Sequence, residues 1–177
     1  MAMKLLTTNE SSGVSDSSFT SSIDSTYKLY IFKYYGVNPG TDNVGFRFNG
    51  SIDSGSNYNV TKTTSAFRSK HTEDDSATQL NYEGGLDLAE STAAQLIMND
   101  VGSGGDEHCA GELFLFNPSN ATYVKHFHLR SMSNISSDYA QDLFIAGYFN
   151  TASAIDAIQF TVSSGTFDAV IKMYGVG

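Results

Sequence analysis

Gly111-Glu112-Leu113-Phe114-Leu115-Phe116-Asn117 is a short apolar and aromatic run closed by a turn residue, and four more such runs follow it closely. They occupy residues 122–132, 143–149, 155–162 and 167–174, and loops of Ser, Asn, Gly and Asp separate them. Short aromatic runs at this spacing, punctuated by turn residues, predict an all-β sandwich or barrel. The ladder carries no catalytic constellation, so the chain reads as one that binds or builds rather than one that catalyses.

Within the ladder the faces separate by the two-residue period of a strand. In 122–132, Tyr123, Phe127 and Leu129 share one face, and Val124, His126, His128 and Arg130 the other. That alternation suits a strand buried on one side only. Leu143, Ile145 and Phe149 oppose Phe144, Ala146 and Tyr148, and Ile158, Phe160 and Val162 form the apolar face of the next run. Upstream, residues 27–37 are the clearest strand. Tyr27, Leu29, Ile31 and Tyr35 line one face and Tyr30, Phe32 and Tyr34 the other, which predicts a central strand covered on both sides. Residues 4–8, 44–48, 58–71 and 80–82 read as further strands, the last at an edge. Residues 84–98 fit two readings. Ala89, Ala93, Leu96 and Ile97 form a helical stripe, yet the segment is short enough to be a strand. Residues 9–24 are almost all Ser, Thr, Asp and Gly with Phe19 and Ile23 as anchors, so 1–24 is expected to be a polar N-terminal arm or loose strand preceding a β-sandwich domain over 25–177. Eight to ten strands in one unit predict a single-domain, antiparallel, jelly-roll-like β-sandwich. The expected core comprises Leu29, Ile31, Phe32, Leu113, Leu115, Phe127, Leu129, Ile145, Ile158, Phe160 and Ile171.

The chain has 177 residues, enough to bury a core of its own. Its net charge of −9 argues against a nucleic-acid partner, which would need a basic footprint, and an anionic membrane would repel it. No stretch reaches the 18 or so apolar residues of a membrane span, and the N-terminus lacks the apolar core of a secretory signal, so synthesis in a cytoplasm is expected. A single cysteine, Cys109, permits no intrachain disulfide.

Few motifs carry chemistry. His126-x-His128 places two imidazoles on one strand face, as cupin jelly rolls do when they hold a metal. No carboxylate follows, and Arg130 on the same face would repel a cation. His108 and Cys109 are adjacent and therefore point to opposite faces of a strand, so they cannot act as a nucleophile and its base. Gly102-Ser-Gly-Gly-Asp lacks the Lys-Ser/Thr of a phosphate loop, and Glu73-Asp74-Asp75 lacks calcium-loop spacing. Tyr34, Tyr35, Tyr58, Tyr82 and Tyr148 could stack on sugars, but tyrosine is an ordinary strand residue. The sequence thus points to no catalytic, cofactor or metal residues.

Several stretches resemble a group of tailed-phage virion proteins of viruses of aquatic bacteria. They are Ile23-Asp24-Ser25-Thr26-Tyr27-x-Leu29-Tyr30-Ile31-Phe32, Glu112-Leu113-x-Leu115-Phe116-Asn117-Pro118-Ser119, Tyr123-Val124-Lys125-His126-Phe127, Ala146-Gly147-Tyr148-Phe149-Asn150 and Lys172-Met173-Tyr174-Gly175-Val176. The resemblance implies a small β-sandwich of the virion. The leading expectation is a capsid decoration (cement) protein that bridges major capsid proteins or other virion proteins as a homo-oligomer, with a trimer expected, and the segment before Tyr27 ordering on the shell. A receptor-binding or tail-fibre module is the alternative, reading host glycan through loops 42–43, 51–57 and 71–76. A metal-dependent cupin-like enzyme is the third.

Overall fold

The computed structural model describes residues 2–135 and 138–177. Twelve strands make up its regular structure, and there is no helix among the described residues. In the N-terminal half they are β1 (Met3–Val14), β2 (Asp16–Phe19), β3 (Leu29–Pro39), β4 (Val44–Ser51), β5 (Lys62–Thr72), β6 (Thr78–Tyr82) and β7 (Gln95–Val101). The ladder supplies β8 (Cys109–Phe116), β9 (Lys125–Ile135), β10 (Tyr139–Phe149), β11 (Ala157–Val162) and β12 (Phe167–Val176).

The strands form two antiparallel sheets, ordered β1-β12-β3-β8-β9-β10-β5-β6 and β2-β11-β4-β7. The pairings β1 with β12, β3 with β8, β2 with β11 and β4 with β7 nest inside one another, as when one long hairpin is rolled up. The segments β1-β12-β3-β8 and β2-β11-β4-β7 are the two four-stranded halves of a jelly roll. The other four strands, β9-β10-β5-β6, extend the first half sideways into an eight-stranded sheet. The chain is therefore an all-β, antiparallel β-sandwich, as the ladder predicts.

Both sheets point alternate residues into one core. Phe160 of β11 sits at its centre, with its ring against those of Phe19, Phe32, Tyr34, Phe46 and Phe48 at centroid distances of 5.8–6.5 Å. Edge and offset ring pairs of this kind add roughly 0.5–1.5 kcal/mol each beyond the burial of area. Every residue of the expected core is buried except Leu29, which is half-buried.

Three local findings refine the sequence reading. Residues 3–14 and 16–19, within the stretch read as an arm or loose strand, are paired along β12 and β11, and Phe19 and Ile23 are buried. Residues 84–94 are turns and bends rather than helix, and 95–101 are β7. The helical stripe is overridden because the backbone of this segment is tied to β5: Ser91 and Lys62 exchange both amide bonds, and the Leu88 amide donates to Thr64 Oγ1. Its Leu86 joins the buried core. Third, β3 is central, with Tyr30, Phe32 and Tyr34 in the core, but its other face is not covered. Tyr35 is 44% exposed there, beside a bulge at Gly36, whose φ of 54° suits glycine.

Candidate functional site

The structure keeps the chemically suggestive residues apart. Cys109 is fully buried, and burial pushes its thiol far above the usual range, while the neighbouring His108 is exposed. The 102–107 loop cradles its own carboxylate. The Gly104 amide donates to Glu107 Oε2 at 2.7 Å, and a Cβ on Gly102 would collide with that same carboxylate. In the 71–76 loop, Asp75 pairs with His71 at 2.9 Å and Asp74 accepts the Ser76 amide, whose side-chain and backbone bonds hold the Asp74 pKa down. The loops 42–43 and 51–57 flank β4 and so lie at opposite ends of the sandwich, where they cannot share a binding rim. Among the described residues no group of three or more His, Cys, Asp or Glu lies close enough to hold a metal ion.

His126 and His128 stand on the outer face of β9, away from the core. His128 stacks on Phe114 (centroids 4.6 Å, 17°) and leans on Phe116, and His126 meets Tyr148 at 6.1 Å. Both imidazoles belong to a larger surface, the outer face of the eight-stranded sheet. Of the ten exposed large apolar side chains among the described residues, eight stand on this face: Met3, Leu5, Tyr35, Phe67, Leu80, Tyr82, Phe116 and Met132. Scattered apolar residues are normal on any protein, whereas a single continuous face of them is not.

The strand register organises the face in rows. One row runs across six strands from Tyr82 through Phe67, Phe144, Arg130 and Glu112 to Lys33. Phe67 and Phe144 stack at 4.8 Å and 5°, and the Arg130 guanidinium lies 4.8 Å over Phe144, so the β6–β9 end of this row is a raised ridge. The adjacent row has Ser65 and Ala146 where the ridge has Phe67 and Phe144. These small side chains floor a trough of about 480 Å³, walled by His126, His128, Phe116 and Tyr148. Four of the charges on this face pair off. Lys33 bonds Glu112 at 3.0 Å, Arg130 bonds Asp142 through Nη2 at 2.7 Å and Nε at 3.0 Å, and Lys172 lies over the Tyr35 ring. The carboxylate hydrogen bonds raise the pKa of both Arg130 and Lys33.

Sequence reasoning passed over two lysines. Lys62 and Lys125 are fully buried and lie opposite Phe149 from either side in one cross-strand row. Lys62 Nζ donates to the Ala93 carbonyl, and Lys125 Nζ to the carbonyls of Tyr123, Thr151 and Ala152. Neither belongs to an ion pair found among the described residues. Burial pulls the Lys62 pKa down to about 8 and lowers that of Lys125. Each ammonium staples a loop to the end of the sandwich. The signal was present in the period: Lys125 falls in phase with the inward Phe127 and Leu129.

Comparison with known proteins adds little. No protein-family model and no curated protein matches the chain. A crystal structure of a protein of unknown function from Bacteroides ovatus is similar over 63% of this chain at 5% identity, with a TM-score of 0.33. The match spans 45% of that protein's length.

Proposed function

We propose that the chain is a non-catalytic, adhesive structural protein of a tailed-phage particle, most specifically a capsid decoration protein acting as a homo-oligomer in the virion. The observation that carries this reading is the outer face of the eight-stranded sheet. It gathers eight of the ten exposed large apolar side chains among the described residues on one broad surface, four of whose charges are paired, which is what a protein needs to adhere to another. The titratable groups that could do chemistry are instead separated, buried or engaged in loop structure. The virion assignment rests on the sequence resemblance, and the adhesive face supplies a physical means for it. An acidic remainder keeps such a protein soluble before assembly.

Immunogold labelling of particles from a host that carries the gene, with antibody to the purified chain, tests the role. Label spread evenly over heads is expected. Label confined to tails would replace decoration with host recognition, and unlabelled particles would overturn the virion reading altogether.

A further inference from the structure

We propose that the occupant of this outer face is a second copy of the same chain, docked face to face about a two-fold axis. The inference rests on the reading of the face as adhesive and adds what it adheres to. The axis would run parallel to the rows, midway between ridge and trough. Such a rotation keeps each residue's position along its row while exchanging the two rows, so Phe144 of one copy meets Ala146 of the other, and Phe67 meets Ser65. Large meets small at both places, and by symmetry each match is made twice. On β5 and β10, ridge and trough are therefore complementary to each other.

Size and charge agree. Eight strands about 4.8 Å apart, each of roughly ten residues rising about 3.3 Å, present on the order of 1,000 Å². A standard stable interface takes about 800 Å² from each partner. Two chains of net charge −9 repel each other, but on this face Lys33–Glu112 and Arg130–Asp142 arrive already paired, so these four groups bring no unpaired charge into the contact. A face that closes on itself gives a dimer, in place of the trimer that the resemblance suggests.

Complementary variants test this. Phe67→Ser with Phe144→Ala removes the ridge, and Ser65→Phe with Ala146→Phe fills the trough. Circular dichroism and melting of each would establish that the chain still folds, since Phe67, Ser65 and Ala146 are exposed and Phe144 is half-buried. Sedimentation velocity should show the parent chain as a dimer and each variant with a dissociation constant raised at least ~100-fold. An equimolar mixture of the two variants should recover the dimer, because the removed ridge then faces the filled trough. A monomeric parent chain would overturn the inference while leaving the adhesive reading to labelling of particles. A dimer that survives both variants would also overturn it, as would a larger ring that the mixture fails to rebuild. A monomer whose glycan-array binding is lost on filling the trough would make the trough a sugar site instead.

Discussion

At the scale of single residues the most consequential side chain is Lys62, whose ammonium lies within the sandwich with one carbonyl for a partner. Its pKa falls from 10.5 in the unfolded chain to about 8, so between those values the unfolded state binds more protons. Stability from this site must therefore rise with pH across that window, and below pH 8 the buried charge costs about 3 kcal/mol. Lys62→Met removes the titration while keeping an unbranched side chain. The stability of the Lys62→Met variant relative to the parent should be more favourable at pH 7 than at pH 10 by about 2–3 kcal/mol. Urea unfolding of both proteins at the two pH values reads this directly, and a pH-independent difference would mean that Lys62 is solvated. Tyr34 and Tyr30, whose phenols are pushed up by burial, are present in both chains and cancel. The period that places Lys125 inward also places Lys62 in phase with the buried Ala66. What the sequence could not supply was an acceptor, because the carbonyls of Ala93, Thr151 and Ala152 come from loops whose paths depend on the rest of the fold.

At the scale of elements, β1 and β2 decide whether the N-terminal segment is detachable. β1 covers the whole length of β12, and β2 delivers Phe19, 3% exposed, against Phe32 and Phe160. Deleting residues 1–24 would bare a ten-residue strand edge and open the ring cluster. The truncated chain is expected to aggregate or to lose cooperative melting, and Phe19→Ala alone should cost about 3–5 kcal/mol in chemical unfolding. A truncated domain that melts like the parent would show that the segment is a removable arm, free to dock elsewhere. Strands with strong alternation, such as β9 and β10, were legible from sequence because period alone fixes which side is buried. Residues 3–19 were less so, since their Ser, Thr and Asn give little contrast between faces and their pairing partners lie at the other end of the chain. Residues 84–94 carried a helical stripe that the backbone bonds to Lys62 and Thr64 override.

At the scale of the whole molecule, what the sequence concealed follows from the nesting. Alternation tells which way a side chain points but not which strand it lies beside. Leu29, Ile31 and Tyr35 on the outer side of β3 therefore suggested a covering layer that the sandwich does not have, and the same ambiguity hid the apolar outer face of the larger sheet. Nesting also makes the outermost pairing, β1 with β12, the one that joins the most distant parts of the chain. Its ends meet: the Ala2 amide donates to the Gly177 carbonyl at 2.9 Å, and the Gly177 amide returns the bond at 3.3 Å. Folding must close this loop before the pairing contributes anything, and long-range β pairings of this kind are slow. A circular permutant that links residue 177 to residue 2 and opens the chain between Asp74 and Asp75, both exposed in the β5–β6 turn, converts the outermost pair into a local hairpin. It should fold to the same circular dichroism spectrum and refold faster than the parent in stopped-flow dilution from urea. Its unfolding rate should change little, because the native contacts are the same. If the permutant instead refolds at the parent's rate, the closure of β1 on β12 comes after the rate-limiting step, and the barrier lies in assembling the inner pairs β3–β8 and β4–β7 around the ring cluster.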